Sequence, residues 1–228
     1  MALSFLLLCA APGARAETIV LRPGPEGIDT APYQFTPALV RGDRETLYAF
    51  TDPDGVHSFE TFVRFELPPD LVGPDEEIAE ARLVLHYGFD FDVYGDTSHI
   101  TGSMECREVL ESWTENITWT QRPVYGAPVD VVEGIAEFGP IACDVTELVV
   151  DWVSGVRPNH GVAVTNPTFR VIGFFSSDVQ PTAELPESVR PALEIDVVPA
   201  PEPAAGAGAL AALLALRALR RRRTEIRP

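Results

Sequence analysis

Lysine is absent from this chain. All 17 basic residues among its 228 are arginine. Lysine Schiff-base chemistry is therefore excluded, as is any phosphate loop that depends on a lysine. Cysteine and histidine are scarce, at three and four residues. No CxxC occurs, and His57, His86, His99 and His160 show no HExxH spacing, so a thiolate or imidazole metal centre has no support. No serine sits in a nucleophile-elbow setting. The 32 acids of residues 17–199 offer many carboxylate pairs, but their separation is a property of the fold and not of the sequence. What is plentiful is proline and glycine, 21 and 17 residues. Both break helices, which argues against a helical bundle.

The two ends differ from the middle. Residues 3–11 are apolar, and Ala14-Arg15-Ala16 is a small-x-small site. This reads as a secretory signal peptide over 1–16, with the mature chain starting at Glu17. At the other end, Pro201-Glu202-Pro203 precedes an apolar stretch over 204–219 and four arginines at 220–223. As a helix that stretch spans about 24 Å, short of the ~30 Å hydrocarbon core. Arg217 interrupts it, and the arginines behind it fit a cytoplasmic C-terminus. The three parts together resemble the PEP-CTERM sorting signal. That resemblance implies export in a Gram-negative bacterium, transient anchoring in the inner membrane through residues 200–228, and processing by exosortase-type machinery.

Between the ends lies one domain, 17–199, of about 180 residues, enough for its own core. It holds ten of the 17 arginines and 32 of the 34 acids, a net charge of −22. Such a surface opposes nucleic acid and anionic membranes, and it opposes unaided binding of polyanionic glycans. It favours divalent cations or neutral ligands. Cys106 and Cys143 are the two cysteines of this domain. In an oxidising compartment they read as a disulfide, with two buried thiols as the alternative.

Strand patterns dominate. Residues 61–67 and 81–87 alternate, the latter with Ala81, Leu83, Leu85 and Tyr87 on one face. Shorter candidates are 18–21, 46–50, 161–165, 170–175 and 192–198. Many short, half-buried strands between Pro, Gly, Asp and Asn turns indicate an all-β antiparallel sandwich. One helix is expected after Asp144, with Glu147 in a capping-box position. Val145, Leu148, Val149 and Trp152 form its apolar face, and Gly155 ends it. It is expected to cover an open end of the sandwich. Residues 51–55 read as a turn, and 183–190 as loop.

The ordered pieces then carry a second resemblance. Phe62 to Leu67 is followed by Ile78 to Leu85. Next come Trp113-Thr-Glu, Thr118-Trp119 and Pro123, then Asp144-Val-Thr146 with Trp152. Asn159-His-Gly161, Phe174 to Asp178, and Arg190-Pro-Ala-Leu193 complete the order. Together they resemble the DNRLRE (disaggregatase-related) domain across roughly 18–198. The resemblance implies a jelly-roll-like β-sandwich in a secreted or surface protein, and contact with extracellular polysaccharide without turnover. A purely structural envelope or matrix protein is the alternative, and a polysaccharide lyase or hydrolase a more distant one.

Candidate binding residues follow from residue type and place. Trp113, Trp119 and Trp152 are expected in the core. Tyr87, Tyr94 and Tyr125 lie nearer turns and are the sugar-stacking candidates. Arg107 and Arg122 flank the tryptophan motif as glycan contacts. Asp90, Asp92 and Asp96 are the candidate Ca²⁺ ligands, as oxygen donors close in sequence.

Overall fold

A computed structural model describes residues 16–23, 28–52, 54, 56–89 and 101–201. Residues 1–15 of the expected signal peptide, residues 202–228, and the candidates Asp90, Asp92, Tyr94 and Asp96 lie outside the described residues. In chain order the strands are β1 (Glu17–Leu21), β2 (Asp29–Thr30), β3 (Thr46–Ala49), β4 (Thr61–Val63), β5 (Glu76–Phe89), β6 (Gly102–Val109), β7 (Tyr125–Ile135) and β8 (Gly139–Asp144). Helix α1 (Thr146–Val153), β9 (Val162–Thr165), β10 (Ile172–Phe175) and β11 (Ala192–Pro199) follow. Two antiparallel sheets pack as a sandwich, as the alternation predicts. One has the order β1-β11-β5-β10-β3 with β8 also paired to β5; the other has the order β2-β4-β9-β6-β7.

A single core fills the space between the sheets. Leu83, Leu85, Tyr87, Leu193 and Ile195 enter it from one side, and Val63, Met104, Val162 and Val164 from the other. These residues recur at every second position because successive strand side chains point to opposite faces. Cys106 on β6 and Cys143 on β8 form a disulfide. It joins the two sheets through the middle of the core, where both residues are 0% exposed. A buried disulfide fits an oxidising, extracytoplasmic compartment.

Helix α1 closes one end of this core with Leu148, Val149 and Trp152. Its first turn differs from the expected capping box. The N-cap position falls to Val145, which makes no side-chain cap bond, and Asp144, one residue earlier, accepts from the Thr146 N–H at 2.9 Å. Its own N–H goes to Asp130 Oδ2 at 2.8 Å instead of to Glu147. The C-terminus ends as expected at Gly155, whose φ is 71°. The Gly155 N–H reaches the Trp152 carbonyl and the Val156 N–H reaches the Asp151 carbonyl, the two bonds of a Schellman motif.

Sequence and structure part at two places. The pattern over 61–67 is longer than β4, although Phe65 is still buried beyond its end. There the ladder gives way to a side-chain bond: Asn159 Nδ2 donates to the Phe65 carbonyl at 2.8 Å. Strands β2, β6, β7 and β8 were not among the expected ones. β7 is an edge strand, mostly exposed along its length, and carries Gly126, Pro128 and Gly134. Three register shifts interrupt its pairing with β6. Within the expected turn region, the Asp52 carboxylate accepts from the N–H groups of the described residues Asp54, Val56 and His57.

Candidate functional site

The second sheet turns Phe62, Ala163 and Val109 away from the main core. The segment between β6 and β7 folds over them and lays Trp113 and Ile117 on that surface, with Tyr125 packed alongside. Trp113 is fixed in place: its indole N–H donates to the His160 carbonyl at 2.7 Å. Arg64 lies 5.6 Å from its ring centre. All three tryptophans are 9% exposed or less, so they serve packing.

Beside this cap the outer face becomes polar. Glu60, just before β4, is buried at 7% exposure. The Tyr125 hydroxyl donates to its Oε1 at 3.0 Å. Arg122 Nε stands 2.8 Å from its Oε2. The Arg122 guanidinium also covers the Trp119 ring, 4.0 Å from its centre. Arg107 approaches the Tyr125 ring at 5.6 Å. Its donors go to Thr165 Oγ1 at 3.2 Å, the Gly126 carbonyl at 3.0 Å and Glu105 Oε2 at 2.7 Å. A depression of about 320 Å³ opens here, lined by Arg122, Pro123, Val124 and Tyr125.

The electrostatics follow from burial. Desolvation raises the Glu60 carboxyl above its ordinary value, and the Arg122 charge and the Tyr125 hydroxyl only partly oppose it. Burial, aided by the Glu60 charge, pushes Tyr125 up to about 12. Tyr125 therefore keeps its proton at neutral pH and acts as a donor and an apolar ring. Each guanidinium already faces its own carboxylate, Glu105 or Glu60, so the patch has little net charge to offer an anion. It does offer a rigid aromatic edge and oriented polar groups, the usual means of holding a neutral polyol.

Three sequence candidates, Arg107, Arg122 and Tyr125, thus meet in one place. Tyr87 does not join them. It is 0% exposed and points into the core. There Phe138 meets its ring edge-on at 4.8 Å, and the Arg170 guanidinium lies 5.7 Å from the ring centre. It shares the inward parity of Leu83 and Leu85, and that parity outweighs its nearness to a turn. Glu60, Glu105 and Thr165 were missed, because their roles depend on the pairing of β4, β9 and β6, which no local spacing reveals. A second aromatic group was also missed. Phe35 is 59% exposed and stacks on His57 at 4.9 Å. Tyr33 stacks on Phe59 at 4.0 Å, with its hydroxyl 2.8 Å from His57 Nδ1. Among the described residues no group of three or more His, Cys, Asp or Glu side chains stands ready to hold a metal ion. No protein-family model and no curated protein matches the chain.

Proposed function

We propose that this protein is an exported, non-catalytic module that binds a neutral extracellular polysaccharide through the outer face around Tyr125. The observation that carries the reading is the convergence of Arg107, Arg122 and Tyr125 around buried Glu60, beside a surface depression. A sugar laid there meets the Tyr125 ring edge and the rims of two ordered guanidinium groups. The internal pairing of both arginines and the −22 charge of residues 17–199 select against acidic glycans. The resemblance to the DNRLRE domain points the same way. The PEP-CTERM-like end adds an address: the cell surface or extracellular matrix of a Gram-negative bacterium, reached through an exosortase-type step.

The test is affinity electrophoresis of the full chain in gels cast with neutral or acidic polysaccharides. Retardation by a neutral glycan is expected, with loss in Tyr125→Ala. If the folded protein migrates unchanged through every gel, the reading fails and a structural matrix protein replaces it.

A further inference from the structure

The loops that flank β3 carry a second aromatic surface. Phe35, between β2 and β3, is 59% exposed. Its ring stacks on His57, between β3 and β4, at 4.9 Å and 24°. The Tyr33 ring lies 6.0 Å from Phe35 and parallel to Phe59 at 4.0 Å. Its hydroxyl meets His57 Nδ1 at 2.8 Å. Arg41 completes the group, with its guanidinium 5.6 Å from the centre of the Phe59 ring. Each of these side chains touches the next, so together they form one shelf.

A single exposed apolar residue is ordinary on a protein surface. Two observations set this one apart. The first is that the shelf is held rigid. The Gln34 N–H donates to the Ser58 carbonyl at 3.0 Å, and the Ser58 N–H donates back to Gln34 Oε1 at 3.2 Å. The Asp52 carboxylate accepts the His57 N–H at 2.8 Å, and the Asp52 N–H reaches Ser58 Oγ at 3.0 Å. The rings need no ordering when a ligand arrives, which lowers the cost of binding. The second is the guanidinium. Among the described residues Arg41 pairs with no carboxylate, and its Nε is buried without a hydrogen-bond partner. Burial first, and the charge of Arg44 next, pull its pKa below the ordinary value. A half-buried donor fork left open beside an exposed ring is unusual, because buried donors are normally satisfied.

We propose that this shelf is a second glycan subsite, where a neutral pyranose stacks on Phe35 and takes hydrogen bonds from Arg41. The proposal rests on the neutral-polysaccharide reading of the Tyr125 face and extends it. An exposed phenyl face suits the C–H side of a sugar ring, and a guanidinium fork suits adjacent hydroxyl oxygens. The −22 charge of residues 17–199 opposes an anion in the same place. Phe59 and Glu60 are consecutive. Phe59 underlies the shelf, and Glu60 anchors Tyr125 and Arg122. Both subsites therefore adjoin one backbone segment before β4, and one long polymer can engage both. Linked contacts then reinforce each other through effective concentration.

The experiment is affinity electrophoresis of the full chain in gels cast with hydroxyethyl cellulose, galactomannan, soluble starch or polygalacturonate. Phe35→Ala, Arg41→Gln and Tyr125→Ala run beside the wild type, with Val156→Ala as an exposed apolar control. Retardation of the wild type by a neutral polymer is expected. Phe35→Ala and Arg41→Gln should each weaken it about tenfold or more, as the loss of one of two linked contacts, and Val156→Ala should not. Phe35 is exposed, so its variant keeps the core; if Arg41→Gln does not fold, Phe35→Ala alone carries the comparison. Full binding by the folded shelf variants overturns the subsite and leaves the Tyr125 reading standing. Loss in the shelf variants with full binding by Tyr125→Ala supports the shelf and removes the Tyr125 face instead. A wild type that no gel retards overturns both. Retardation by polygalacturonate alone, lost in Arg41→Gln, overturns the neutral class. A Phe35→Ala variant that changes sedimentation but not gel mobility makes the shelf a contact between copies, and the subsite falls.

Discussion

The indole N–H of Trp113 donates to the backbone carbonyl of His160 at 2.7 Å, and this bond fastens the cap over the second sheet to the turn before β9. The next residue in that turn, Gly161, has a φ of 88°. Its N–H bonds to Asn159 Oδ1 at 3.0 Å. A side chain cannot be added here. A Cβ on Gly161 would stand 2.3 Å from the Val63 carbonyl oxygen.

Gly161→Ala is therefore expected to destabilise the protein by about 2 kcal/mol or more, from left-handed strain together with the clash. Denaturant unfolding measures it. A variant within 0.5 kcal/mol of wild type would show that the turn relaxes freely.

Replacing both Cys106 and Cys143 by alanine is expected to cost 2–5 kcal/mol, as for other native disulfides. The loop it closes spans 37 positions. Thermal unfolding with and without reductant should show a drop in the wild type and none in the double variant.

Asp144 supplies a pH test. Its hydrogen bonds from the Thr146 hydroxyl and N–H hold its carboxyl below the ordinary value of 3.8. A depressed carboxylate stabilises the fold above its unfolded pKa, and the contribution disappears as pH falls through the folded one. Asp144→Asn keeps an acceptor oxygen but removes the charge, so near neutral pH it should lose about 0.3–1 kcal/mol, the usual worth of a carboxylate charge at a helix start. The gap should close as pH falls below about 3.8, the value Asp144 departs from. A difference that stays constant down to pH 2 would contradict the assignment.

On the outer face, Arg122→Gln leaves Glu60 buried with the Tyr125 hydroxyl still donating to it. The cost is expected to be about 1–3 kcal/mol, because a buried carboxylate loses its counter-charge while Arg122 itself is only partly exposed. Glu60→Gln in the same background should recover part of that loss. A double-mutant cycle on unfolding free energy reads the coupling, and additive effects would mean that the pair contributes nothing.

How far the sequence could be read depended on the range of the cause. The two-residue alternation over 81–87 sits inside β5 because each inward side chain meets the same core. The apolar face of α1 was legible for the same reason, since Leu148, Val149 and Trp152 recur at helical spacing. β7 was not legible. An edge strand exposed along most of its length has no apolar parity to display, and its glycines and proline read locally as turn. The site divides in the same way. Tyr125 and the two arginines stood near a distinctive motif, whereas Glu60 and Glu105 became neighbours only when β4 paired with β9 and β9 with β6.

The same irregular β7 has a consequence for life at high concentration. A straight, well-ordered edge is a template onto which a second molecule can add its own strand, and then a third. Here three register shifts bend the edge, Pro128 removes one donor from it, and Asp130 and Glu133 add negative charge. Copies crowded side by side therefore find no continuous row of N–H and C=O groups to extend. The β7 edge therefore gives no template for growth of the second sheet.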